Sequence, residues 1–245
     1  MVARMLELSR ANPRYGYRRI TALLRREQWA VNRKRVYRLW RREGLKVPQT
    51  QRKRRRLGSS ANGCVRRRAE RKNQVWSYDF VMDQTSDGRR LKMLPIVDEY
   101  TRECLRIEVG RHMRAEDVVE ALQKLFQERG TPEHIRSDNG PEFIAAAVKE
   151  WLRVNGVETL YIEPGSPWEN AYSETFNSRF EDELLDREQF DSEREAAVLI
   201  EEYRQHYNER RPHSALGYQT PSEFSAACVP PGSAALRPAA RTPQA

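Results

Sequence analysis

The spacing of apolar residues divides the chain into two textures. Over residues 1–46 it is helical: Ile20, Leu23 and Leu24 recur within YGYRRITALLRREQW, then Val36, Leu39 and Trp40 within RKRVYRLWRREG, with arginines on the other faces. Such stripes predict two or three short amphipathic helices. Asn32 is placed to cap the later one and Gly44 to end it. Short basic helices with tight connections predict a helix-turn-helix-like unit. From Val75 onward, strand and helix periods alternate. VWSYDFV sets Trp76, Tyr78 and Phe80 against Ser77, Asp79 and Val81, the two-residue period of a strand. LKMLPIVDEY and RECLRIEVG read as two further strands, with a turn near Asp98–Thr101. Val118, Val119, Leu122, Leu125 and Phe126 mark one face of a helix that Gly130 can end.

HIRSD then reads as a short strand, followed by a helix opened by Gly140-Pro141 and carrying Ile144, Val148, Trp151 and Leu152. TLYI makes a fifth strand. Ser166-Pro167-Trp168-Glu169 has the form of a capping box, behind which Tyr172, Phe176, Phe180 and Leu184 repeat as a buried stripe. One more helix is expected over roughly 192–207. This order describes an α/β domain, a mixed five-stranded sheet flanked by helices.

Between the two textures, residues 47–73 hold two arginine clusters, a Gly-Ser break and almost no large apolar side chain. That composition predicts a flexible basic linker. The expected divisions are a helical unit over 1–46, the linker over 47–73, the α/β body over 74–225 and a disordered tail over 226–245. Charge sharpens the picture. The net formal charge is +9, but residues 1–75 hold 24 Lys+Arg against 4 Asp+Glu, leaving 20 against 31 for the remainder. A basic arm on an acidic body suits nucleic acid, through contacts that weaken steeply with salt. No apolar run of about 18 residues appears, so no membrane span is expected. The amino-terminal stretch also lacks the pattern of a secretory signal. Cys64, Cys104 and Cys228 form neither a zinc spacing nor a disulfide framework, which points to a reducing, cytoplasmic setting.

Three acids stand apart by placement. Asp79 sits mid-strand among large apolar neighbours; Asp138 ends a strand before Asn139-Gly140; Glu174 lies about two turns into its helix, opposite the aromatic stripe. Each alone would more often be an edge, turn or surface residue. Burying a carboxylate costs several kcal/mol unless it is paired or metal-bound, so three such placements together suggest a shared purpose. Asp83 and Asp98 lie in turn contexts and read as structural, and Glu142 reads as a first-turn helix residue.

Several strings resemble insertion-sequence transposases of the IS-three type, specifically their second reading-frame product, and through it the retroviral-integrase superfamily. They are YGYRRI, NRKRVYRLWRREGL, WSYDFVMDQTSDGRRLKMLPIVDEYTREC, RSDNGPEF, PGSPWENAYSETFNSRFEDELL and YNERRPHSALGYQTPSEF. They span roughly residues 14–224, nearly the whole chain. The resemblance implies an RNase H-like core in which Asp79, Asp138 and Glu174 are the catalytic acids and hold two divalent ions, Mg2+ or Mn2+. It implies DNA strand cleavage and strand transfer without a covalent enzyme intermediate, acting on element ends and target DNA. The resemblance also implies a homo-oligomer on DNA, and a partner or fusion in the first reading-frame product.

Asn139 and Gly140 would shape the turn that presents Asp138, while Ser166, Trp168 and Asn170 flank the helix start near Glu174. Tyr207, Asn208, Arg211, Pro212 and His213 are expected to pack the last helix onto the core more than to touch DNA. One departure concerns the position seven residues after the catalytic glutamate. Relatives usually carry Lys or Arg there; this chain has Glu181, about two turns on and facing as Glu174 does. The chain also begins close to YGYRRI and shows no sustained heptad, so end recognition is expected to involve another polypeptide. A catalytically impaired DNA-binding remnant or repressor is the alternative, and a purely hydrolytic nuclease shares the same site.

Overall fold

The computed structural model describes residues 1–48, 68–138, 140, 145–161 and 171–228. Most of the basic linker, the stretch containing the Ser166–Glu169 capping box, and the tail from 229 onward lie outside the described residues.

Three helices open the chain: α1 (Val2–Ala11), α2 (Tyr17–Arg26) and α3 (Arg33–Arg42). Their apolar stripes meet in one small core of Met5, Leu8, Tyr15, Ile20, Leu24, Val31, Val36 and Trp40. The Asn32 side chain accepts from the Lys34 N–H at 2.8 Å, as a cap should, and Gly44 takes the left-handed φ of 68° just past the helix. Arginines carry this unit onto the remainder of the chain: Arg14 pairs with Asp182, and Arg26 with Glu223 at 2.5 Å.

The α/β body contains β1 (Val75–Tyr78), β2 (Val81–Gln84), β3 (Arg90–Asp98), β4 (Cys104–Gly110), α4 (Ala115–Arg129) and β5 (His134–Ser137). These are followed by α5 (Ala146–Val154), β6 (Glu158–Tyr161), α6 (Ala171–Phe180), α7 (Glu193–Glu209) and α8 (Pro221–Ala227). Strands β1 and β2 both run antiparallel to β3 in one continuous register, Tyr78 opposite Ile96 and Val81 opposite Met93. They are thus two halves of the single strand expected over VWSYDFV. The break at Asp79-Phe80 falls where that register sets Pro95, which has no N–H to give, opposite Asp79. Taking the halves together, the sheet runs β4-β3-β1/β2-β5-β6, with β5 and β6 parallel to β1. The expected mixed sheet of five strand positions is present, filled by six segments.

Side-chain alternation assigns the two faces. Trp76, Tyr78, Leu94, Ile96 and Ile135 meet Val118, Leu122 and Leu125 of α4 and Val148 and Leu152 of α5. Val81, Leu91, Met93 and Val97, on the other face, meet Phe176 and Phe180 of α6 and Ile200, Tyr203 and Tyr207 of α7. At roughly 25 cal/mol per Å2 of apolar surface, these two aromatic-rich layers dominate the stability of the body.

The YNERRPH segment fastens the second layer. Asn208 accepts from the Cys104 N–H at 2.9 Å and donates to the Cys104 carbonyl at 2.8 Å, as a strand partner would. Buried Arg211 holds Glu183 through two bonds of 2.7 Å. Glu183 lies in a one-turn π-helical segment, Glu181–Leu185, that continues α6. The packing role expected for this segment is what these contacts perform. A capping box of Thr220 and Glu223, with Pro221 between, starts α8, a helix not anticipated from the sequence.

Candidate active site

The sheet's own geometry builds the site. Ser77 pairs with Arg136 across the parallel strands β1 and β5, so the register carried two residues further sets Asp79 beside Asp138. Both lie just past the carboxyl ends of their strands. In an α/β sheet, neighbouring parallel strands present functional groups at that edge. Trp76, Tyr78 and Ile135 point into the α4/α5 layer, so alternation turns Asp79 and Asp138 towards the opposite face, which α6 covers.

Helix α6 brings the third acid. Its buried residues are Ser173, Phe176, Asn177 and Phe180, and Glu174 is exposed in its first turn. Asn177 stands one turn beyond Glu174 and donates its amide to Asp79 Oδ2 at 3.2 Å, which joins this face of α6 to the break between β1 and β2. The expected aromatic stripe holds at Phe176 and Phe180. Tyr172 is half-buried, under the Arg102 guanidinium at 3.6 Å from the ring centre.

The Asp79 carboxyl is pushed up from its ordinary 3.8 to about 6. Burial is the main cause, followed by the neighbouring Asp138; Glu174 adds to it, while the Phe80 N–H and the Asn177 amide work against it. Asp138 and Glu174 therefore both lie within electrostatic reach of Asp79. The Asp138 carboxylate also accepts from the Gly140 N–H at 3.0 Å, closing the turn that presents it. Among the described residues none of the three pairs with a lysine or arginine, in a protein where most buried acids do. A cluster of carboxylates lacking a counter-cation is the hard-oxygen donor set that Mg2+ or Mn2+ prefers. Among the described residues no three acidic, His or Cys side chains stand at ion-holding distance as they are. The acids form an open neighbourhood, and drawing them onto an ion requires a side-chain movement.

Asp98 is structural: its buried carboxylate accepts from the N–H groups of Asn73, Tyr100 and Thr101 at 2.7–2.9 Å, folding the β3–β4 turn. Asp83 accepts from the Gln84 N–H at 2.8 Å. Glu181 is exposed and opens the π-helical segment. Asn139, Glu142, Ser166, Trp168 and Asn170 lie outside the described residues. Asn177 was not singled out in the sequence; a polar residue within the buried side of α6, three positions after Glu174, was the available signal.

An RNase H-like sheet order with acids at the strand ends defines the integrase class of catalytic cores. Residues 69–167 and 155–221 match integrase core domain families, and residues 2–55 match an HTH-like domain family. The insertion element IS407 uncharacterized 31.7 kDa protein of Burkholderia multivorans is 43% identical over 226 residues, covering 92% of this chain and 80% of that protein. Transposase InsD for insertion element IS2D of Escherichia coli strain K12 is 30% identical over 224 residues, covering 86% and 73%. The trimeric form of the HTLV-2 integrase catalytic core domain, solved in complex with magnesium, superposes with a TM-score of 0.53 at 15% identity, over 64% of this chain and 99% of that one. That last likeness is one of fold. The chain belongs to the IS-three type of insertion-sequence transposases. Among the described residues no helix is long and apolar enough to cross a membrane.

Proposed function

We propose that the chain is a DNA-cutting and DNA-joining enzyme, nicking at an element end and transferring the freed 3′ hydroxyl to a target phosphodiester. What supports this reading is the strand register that sets Asp79 beside Asp138, with Glu174 close enough to act on Asp79 and no lysine or arginine paired with any of the three among the described residues. Asp79, Asp138 and Glu174 would hold two divalent ions, which when bound supply activation of the attacking oxygen and stabilisation of the leaving one. Asn177 orients the Asp79 carboxylate through its Oδ2. The Gly140 N–H fixes Asp138 in the same way.

In the same reading, residues 1–46 are a DNA-binding unit, 47–73 a cationic linker, and 74–225 the catalytic body. A simian T-cell lymphotropic virus intasome shares the fold, which supports a working form with several copies on DNA. The first reading-frame product remains the expected partner for recognising element ends.

A precut element end offered with a target plasmid and Mg2+ or Mn2+ tests the proposal. Joined product is expected. Hydrolysis alone would leave a nuclease, and binding alone would leave a DNA-binding remnant; either result overturns the joining activity.

A further inference from the structure

Several arginines among the described residues pair with carboxylates, but one hollow gathers basic side chains that do not. Between α2, the start of α3 and the Gly217-Tyr218 turn lies a concavity of about 470 Å3, lined by Arg18, Arg25, Arg26, Arg33, Lys34 and Tyr218. Arg26 is committed to the turn, donating to the Tyr218 carbonyl at 3.3 Å and pairing with Glu223 at 2.5 Å. Arg25 donates to the Val31 carbonyl at 3.2 Å, and Arg18 to the Tyr17 hydroxyl at 3.3 Å. Among the described residues, Arg18, Arg25, Arg33 and Lys34 have no carboxylate partner, so four positive charges face one hollow uncompensated.

The wall supplied by the α/β body is itself unusual. Gly217 and Tyr218 both take left-handed backbone angles, with φ of 63° and 70°. For a bulky residue such as tyrosine that conformation is strained, and strain of this kind persists only where the surroundings impose it. Here the Tyr218 N–H donates to the His213 carbonyl at 2.9 Å while Arg26 grips the Tyr218 carbonyl. The strained turn is thereby held against α2, and Tyr218 lies close enough to act electrostatically on Arg18.

We propose that this hollow is a composite phosphate-binding groove for the backbone of duplex DNA, formed jointly by the amino-terminal helices and the 214–220 turn. The partner follows from chemistry. Arginine forks and a lysine around an open groove match a row of phosphodiester oxygens, and an aromatic hydroxyl is a common additional phosphate contact. Because the turn belongs to the same segment as Arg211, DNA lodged here is referenced to the catalytic sheet and not only to the helices. The inference rests on the chain being a DNA-joining enzyme, and the test separates the two.

The test measures duplex binding by the full chain across a range of salt. Each lost phosphate contact lowers the log–log salt slope by about 0.9. Arg18→Ala with Arg33→Ala is expected to lower it by about 2 and to weaken binding about 10- to 100-fold at ~0.1 M salt. Arg194→Ala with Arg210→Ala removes two exposed charges elsewhere and is expected to change binding less than threefold. Tyr218→Gly suits the left-handed backbone, so it should keep the fold and still bind at least threefold more weakly. An unchanged slope in the first variant, or an equal loss in the control pair, overturns the groove. Wild-type binding by Tyr218→Gly overturns its composite nature. DNA binding and joining by the wild type alongside those results would leave the proposed activity standing.

Discussion

Replacing Asp79 by Asn removes a negative charge that the folded protein holds at a disadvantage. The carboxyl sits at about 6 against an ordinary 3.8 because burial and the Asp138 and Glu174 carboxylates disfavour its ionised form. A carboxyl whose folded value is raised contributes stability while protonated and loses that contribution as pH rises through the folded value, here about 6. At 1.36 kcal/mol per pH unit the full effect is about 3 kcal/mol, and a side chain partly open to water should retain ~1–2 kcal/mol of it. Asn keeps the acceptor for Asn177 and needs no ionisation. Metal-free Asp79→Asn should therefore be more stable than wild type at pH 7 by ~1–2 kcal/mol, with the gap closing towards pH 4. Urea titrations in a chelator across that range measure it. Added Mg2+ should narrow the gap from the wild-type side, since an ion that binds the folded form stabilises it. A gap that is absent, or that grows as pH falls, would refute the electrostatic reading of the acid cluster. The same variant should show no DNA joining.

Three further outcomes are expected. Asn177→Ala removes a hydrogen bond to a charged group worth ~1.5–3 kcal/mol, so joining should fall roughly 10- to 100-fold in a single-turnover assay while DNA binding stays near wild type; unchanged joining would deny Asn177 its positioning role. Arg211→Ala leaves buried Glu183 with only the longer contact to Arg19 at 3.7 Å and should destabilise the fold by ~2–4 kcal/mol, with Glu183→Gln in the same chain recovering part of that in denaturant titrations. Glu181→Lys replaces an exposed negative charge near the site and should tighten duplex binding a few-fold at low salt, an advantage that ~0.3 M salt should erase; a salt-independent effect would mean the side chain acts some other way.

Much of the site was legible because it follows from alternation and strand order. The pattern of VWSYDFV already separated Asp79 from Trp76 and Tyr78, and the structure turns that separation into opposite faces of the sheet. HIRSD before Asn139 announced a strand end, and the parallel pairing with β1 then sets Asp138 beside Asp79. The Asn32 cap carried local information just as directly, its side chain bonding an N–H of the helix it starts. What remained hidden depends on residues distant in the chain. The strand break at Asp79-Phe80 answers to Pro95, through a register that no local pattern specifies. The π-helical turn after α6 is tied to Arg211 and Arg14, 28 residues later and far earlier respectively. The start of α8 is legible in TPSE, a capping box with proline at the first helical position, beside a proline- and alanine-rich stretch.

In the proposed mechanism Asp79, Asp138 and Glu174 close on a shared pair of divalent ions. Crystals soaked in Mn2+, with the ions located by their anomalous scattering, test it most directly. Two peaks are expected, each touching carboxylate oxygens from this set, and both should disappear in Glu174→Gln or bind far more weakly. Manganese bound elsewhere, or three acids that stay apart in its presence, would mean that these carboxylates are not the metal site.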